Sequence, residues 1–140
     1  MRPELFFPCF ALLLLTAFVL VFMFMTRVNA LKNRIVKMSY FKTYSSSVDN
    51  LPDHMLQASR NFTNLFEVPT LFYMVCLFIT VLNQVDTIMV VMAWLYVFLR
   101  ICHTSIHLST NNVRIRMSFY ALSWLVLIMM SFRLALKLMI

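Results

Sequence analysis

Four blocks dominated by apolar side chains alternate with three polar connectors along this chain. The first block runs from Leu5 to about Met25 and is interrupted only by Pro8 and Thr16. At about 1.5 Å per helical residue it covers roughly the 30 Å of a bilayer's hydrocarbon. A basic connector over about residues 26–50 follows, and its Tyr44-Ser45-Ser46-Ser47 reads as a loop. The second helix is expected to start near Asn50, with Pro52 in its first turn and Asp53 beside the positive helix end. Its part through about Arg60 projects beyond the bilayer, and its apolar part spans about 65–82. Asn83-Gln84-Val85-Asp86 is short enough to make the second and third helices antiparallel neighbours. The third span covers about 87–108. Ser109-Thr110-Asn111-Asn112 breaks the pattern before a fourth span over about 113–136. Asparagine there can take the left-handed cap conformation usually filled by glycine, which this chain lacks altogether.

Composition changes the solvent rather than the elements. Hydrophobic residues make up 62% of the 140 and charged residues only 12%, against about a quarter charged in an ordinary soluble domain. There is too little polar surface to coat a water-soluble globule. The fold class expected is therefore an all-α membrane protein, a single domain over residues 1–140 built as a four-transmembrane-helix bundle. The first block is longer than the apolar core of a usual secretory signal. Val28-Asn29-Ala30 nonetheless offers a cleavage-like run of small residues. The three cysteines, Cys9, Cys76 and Cys102, are odd in number and form no CxxC motif, so they read as small buried hydrophobes.

Charge supplies an orientation. The formal net charge is +7, from twelve Lys and Arg against five acids. Arg27, Lys32, Arg34, Lys37 and Lys42 follow the first span directly, and Arg114 and Arg116 follow the third connector. The second connector has no basic residue. Both basic connectors lie on the same side, so that side is expected to be cytosolic and both termini non-cytosolic. Clustering at span ends is the pattern of contact with anionic headgroups, not of a nucleic-acid face. Tyr40, Phe41 and Tyr44 fit an interfacial anchor.

Ionisable groups inside spans cost roughly 3 kcal/mol or more each at the bilayer centre, so their placement is informative. Arg60, Asn64 and Glu67 sit at successive offsets of four and three, on one face of the second helix. Arg100, His103 and His107 do the same on the third. With helices alternating in direction, both sets and the Arg114–Arg116 pair fall at similar depth in one leaflet, as a pocket would require. Plainer readings stand beside this one. Arg60 and Glu67 could be an internal ion pair, His103 and His107 satisfied bundle histidines, and Arg114 and Arg116 partners of lipid phosphates. His103, His107 and Glu67 could in principle share a metal, but three nearby arginines would repel a cation. No metal is expected. Asn61-Phe62-Thr63 matches a glycosylation sequon on the expected cytosolic side, where it carries no meaning.

These motifs resemble the MAPEG superfamily, the membrane-associated proteins of eicosanoid and glutathione metabolism, and above all its small prokaryotic-type members. The first motif stands here as Arg60-Asn61-Phe62-Thr63-Asn64-Leu65-Phe66-Glu67-Val68-Pro69, and the second as Arg100, His103, His107 and Arg114. The resemblance covers nearly the whole chain. It implies a protein of the bacterial inner membrane, a homotrimer with glutathione as co-substrate between neighbouring protomers, and a hydrophobic small-molecule electrophile arriving from the bilayer. Membership of a larger membrane assembly is compatible with it. By the resemblance, Arg60, Asn64, Glu67, Arg100, His103 and His107 hold glutathione, and Arg114 is the catalytic residue facing its thiol. The activity implied is that of a glutathione-dependent transferase or peroxidase. A non-catalytic accessory subunit of the same fold is the alternative.

Overall fold

The computed structural model describes residues 3–43 and 51–139, the side chains of residues 42 and 43 excepted. The Tyr44–Ser47 loop and the expected helix start at Asn50 lie outside the described residues. After a single 3-10 turn at Pro3–Leu5 the chain forms α1 (Phe6–Lys32), a short α2 (Tyr40–Thr43), α3 (Asp53–Val81), α4 (Thr87–Leu108) and α5 (Val113–Met139). Among the described residues four helices, α1 and α3 to α5, are long and apolar enough to cross a membrane.

Two boundaries differ from the apolar pattern for physical reasons. α1 continues through Lys32, 27 residues in all and about 40 Å long, because nothing in Thr26-Arg27-Val28-Asn29-Ala30-Leu31 breaks a helix. The basic residues that begin the connector are therefore displayed on the last turns of a helix that outruns the hydrocarbon. α3 starts at Asp53 behind Pro52, whose extended backbone (φ −57°, ψ 130°) sets the entry. α4 begins at Thr87, where the Asp86 side chain accepts from the Met89 N–H at 2.8 Å, a helix N-cap.

The glycine-free chain ends its helices on other residues. Asn83 after α3 (φ 54°) and Asn111 after α4 (φ 48°) adopt left-handed backbone, and so does Arg34 after α1 (φ 56°). Asparagine tolerates this conformation because its short amide can bond locally; the arginine stores about 1–2 kcal/mol of strain.

α1 packs chiefly on α3 and α4 chiefly on α5, with α3 bridging to α4. Leu12, Phe72, Ile79, Met89, Ala93 and Met130 are wholly withdrawn from the surface. Phe72 of α3 stacks on Tyr96 of α4 with ring centroids 4.3 Å apart and planes 6° from parallel. Outward faces are covered by large apolar side chains such as Phe18, Phe24, Leu77, Phe98 and Phe132, the surface a lipid solvent demands. Hydroxyls are neutralised locally. Thr16, Thr80 and Ser131 each donate to the carbonyl four residues earlier, which spares lipid an unpaired polar group. Pro69, inside α3, has no N–H for the Leu65 carbonyl, and its buried position against the bundle keeps that gap away from lipid.

The end holding the α3–α4 connector is fastened electrostatically. Asp86 pairs with Arg133 at 2.7 Å and with Lys137. Desolvation at this partly covered turn opposes ionisation. Hydrogen bonds from Lys137, the Met89 N–H and Arg133 outweigh it and hold the Asp86 carboxyl well below the usual carboxylate range.

Candidate functional site

Near the opposite ends of the same helices, α3, α4 and α5 turn polar side chains toward one another. Arg100 is the anchor. It is fully buried on α4, and its Nη2 donates to both the side-chain Oδ1 and, at 3.2 Å, the backbone carbonyl of Asn64 on α3. Its guanidinium carbon stands 5.7 Å from the ring centre of Tyr120 on α5, so a π face covers part of the charge. Nε and Nη1 of Arg100 have no protein partner. A guanidinium buried with two idle donors is costly unless an acceptor meets it.

One and two turns further along α4, His103 and His107 are also buried, with ring centroids 5.8 Å apart. Their partners fix their tautomers. His103 Nδ1 lies 3.0 Å from the Arg116 backbone carbonyl, which can only accept, so Nδ1 carries the proton and Nε2 keeps a bare lone pair. His107 Nε2 lies 3.2 Å from Arg116 Nη1, which can only donate, so the neutral His107 ring also carries its proton on Nδ1. Arg116 Nη1 donates in addition to Asn111 Oδ1 at 2.7 Å. The left-handed Asn111 that ends α4 thereby holds the arginine that opens α5. Asn112 caps α5, its Oδ1 accepting from the N–H groups of Arg114 at 3.1 Å and Ile115 at 3.4 Å.

The α3 wall contains a residue that motif reading passed over. Asn61 is fully buried, and its Oδ1 accepts from Thr104 Oγ1 at 3.4 Å, while its Nδ2 has no protein partner. A signal was there to be read. Asn61 sits four residues before Leu65 and seven before Val68, on the buried stripe that continues through Phe72, Cys76 and Ile79.

Of the residues singled out from sequence, Asn64, Arg100, His103 and His107 come together. Arg60 and Glu67 remain on the exposed side of α3. They do not pair with each other, since the ion pairs among the described residues are those of Asp86. Both flank Asn64 on the same helix, at the edge of the cluster. Arg114 is exposed, whereas Arg116 is half-buried and bonded into the cluster. Two residues on a helix are about 200° apart, so these arginines face different surroundings. Among the described residues no three His, Cys, Asp or Glu side chains are grouped to hold a metal.

The assembled site is cationic, with Arg100 and Arg116 inside it and Arg60 at its edge against one carboxylate. Its buried atoms without protein partners are mainly donors, the Arg100 Nε and Nη1, the Asn61 Nδ2 and the His107 Nδ1, beside one acceptor at His103 Nε2. Such a donor set suits a molecule carrying carboxylates and amide carbonyls.

The model of the MAPEG family matches residues 5–136, nearly the whole chain. No curated protein and no solved structure matches it.

Proposed function

The chain belongs to the MAPEG family of integral membrane proteins, and from that premise we propose that it is a glutathione-dependent transferase or peroxidase acting on hydrophobic electrophiles. The observation that carries this reading is the surplus of buried donors on Arg100 and Asn61. Glutathione presents two carboxylates, two peptide carbonyls and one ammonium. The carboxylates and carbonyls match the donors, and Glu67 is the acid available to the ammonium. The residues present therefore fit the tripeptide.

The chemistry requires a thiolate. A free thiol of pKa about 8.5 is mostly protonated at neutral pH, and a neighbouring cation favours its ionised form. Arg116 is the cation that the chain's own cluster holds in place, at the first turn of α5 where the helix end adds partial positive charge. The thiol proton leaves to solvent through the polar end of the bundle. The sulfur then attacks an electrophilic carbon, forming an S–C bond while the leaving group departs with its electron pair. On a hydroperoxide it attacks the O–O bond instead. That releases an alcohol, and a second glutathione completes the reduction to disulfide and water.

Homotrimer formation belongs to the same proposal. Arg60, Thr63, Glu67 and Thr70 make an exposed polar stripe along α3, and an ionised Glu67 facing lipid, within the apolar part of the helix, costs several kcal/mol. A neighbouring subunit against this stripe would remove that cost and close the cleft. Arg114, whose guanidinium is exposed, takes the thiol-facing role only if the cleft it serves is completed by such a neighbour.

The test is titration of glutathione into the purified protein with thiolate formation followed by ultraviolet difference absorbance. Signal is expected from the parent and lost in Arg116→Ala. Loss in Arg114→Ala with Arg116→Ala intact would assign the thiol to the cleft between subunits. No signal from the parent would refute the catalytic reading and leave the accessory one.

A further inference from the structure

At the end of the bundle away from the polar cluster, thiols from two helices meet. Cys9 lies in the first turns of α1 and Cys76 in the later half of α3. Cys76 belongs to the buried apolar cluster and Cys9 packs against it, where α1 lies on α3. Both line a groove of about 380 Å³ that also includes Leu5, Phe6, Tyr73 and Thr80. Neither is in a disulfide. They differ in access: Cys76 is 2% exposed, whereas Cys9 is only half-buried. Cys102, the remaining cysteine, is on α4 and does not line this groove.

Two of three cysteines, far apart in sequence, come into register on adjacent helices beside a groove that gives one of them an approach to small molecules. Core packing alone asks for no such coincidence, since a small apolar residue fills either position equally well. Unequal access is also what stepwise thiol–disulfide exchange uses, one sulfur attacking from outside and the other resolving from within.

We propose that Cys9 and Cys76 are a redox pair that closes to an interhelix disulfide by exchange with a low-molecular-weight disulfide, tying α1 to α3 at this groove. Cys9 gives up its proton to solvent and its thiolate attacks one sulfur of the small disulfide. A Cys9–sulfur bond forms, the small S–S bond breaks, and the first small thiolate leaves and takes up a proton. Cys76 then loses its proton and attacks the Cys9 sulfur, expelling the second small thiol. Two protein thiols are oxidised and one small disulfide is reduced to two thiols, so electrons and protons balance. Reduction by an excess of small thiol reverses both steps. Closure consumes both thiols and ties the two helices together.

The experiment uses the full chain in lipid nanodiscs, reduced and then exposed to 2-hydroxyethyl disulfide. This neutral probe does not depend on any glutathione site. The sample is acid-quenched, unfolded and alkylated with a maleimide of large mass. Three modifiable thiols are expected before exposure, matching the three cysteines, and one after it. Peptide mapping should show Cys9 joined to Cys76 and Cys102 alkylated. Cys102→Ser should lose its remaining two thiols in the same way, and Cys9→Ser should leave Cys76 alkylated. Three thiols surviving prolonged exposure would overturn the proposal. So would a disulfide between two chains, or a small thiol retained on Cys9 with Cys76 still free.

Discussion

Replacing Asn64 by leucine isolates the contact that organises the polar cluster. Arg100 is fully buried and uses one nitrogen, Nη2, for both its protein acceptors, the Oδ1 and the backbone carbonyl of Asn64. Asn64→Leu removes the side-chain acceptor and leaves the carbonyl. A hydrogen bond to a charged group contributes about 1.5–3 kcal/mol, and no other side-chain acceptor is bonded to Arg100. The variant should therefore lose about 2 kcal/mol, or roughly 30-fold in the folded-to-unfolded ratio. For a domain near this size that corresponds to a fall in Tm of about 5–10 °C. Asn64→Asp should keep the acceptor and recover the loss. The double variant Asn64→Leu/Arg100→Met should be more stable than the sum of the single changes predicts, because removing both polar partners leaves no uncompensated charge. Thermal unfolding in detergent, followed by circular dichroism, measures these three variants beside the Arg100→Met single variant and the parent. A Tm for Asn64→Leu within 1 °C of the parent, together with strict additivity in the double variant, would refute the claim that this pair holds the cluster.

Other expectations follow from single side chains. Tyr96→Phe removes a buried hydroxyl that has no protein partner and keeps the stack on Phe72, so it should stabilise the unliganded protein by about 1 kcal/mol; destabilisation in the same unfolding assay would contradict this. Phe72→Ala forfeits the stack and opens a cavity, at a cost of about 3–5 kcal/mol. Asp86→Asn should lower stability only modestly, about 0.5–1 kcal/mol, because the ion pairs are partly solvated. Its pH dependence has a definite sign. A carboxyl held below its ordinary value contributes above the unfolded pKa of about 4, and that contribution is lost as pH falls through the folded value. Parent and Asp86→Asn should thus differ in Tm at neutral pH and converge under strong acid; a gap that widens on acidification would contradict the pairing. For sidedness, a cysteine at Asn83 should be labelled by an impermeant reagent from outside intact cells and one at Ser109 should not; the reverse would invert the orientation drawn from the basic connectors.

Much of this architecture was legible because lipid imposes a coarse rule. The short turn before Thr87 and the asparagine-containing breaks at Asn83 and Asn111 map onto helix ends. The apolar block ends before α1 does, because apolarity marks where the hydrocarbon ends, whereas the helix persists through polar residues to Lys32. The cluster was legible by face on α4, where Arg100, His103 and His107 all turn inward. It was only partly legible on α3. Offsets of four and three define a stripe about 60° wide, and the bundle boundary runs through it, with Asn64 turned inward and Arg60 and Glu67 outside. Asn61 was hidden by its resemblance to a sequon, although it lies on the apolar stripe. Arg116 looked like one of two equivalent flanking charges. What distinguishes it from Arg114 is the 200° turn between them and the position of Asn111, a tertiary fact that spacing alone does not express.

Equilibrium dialysis of isotopically labelled glutathione against the purified protein tests the central claim most directly, since it asks whether the cluster binds the tripeptide without requiring turnover. Saturable binding is predicted for the parent, with affinity reduced at least tenfold in Asn61→Leu and in Arg116→Met, each of which removes donors while leaving Arg100 and Asn64 in place. No saturable binding by the parent, or equal binding by both variants, would contradict the account.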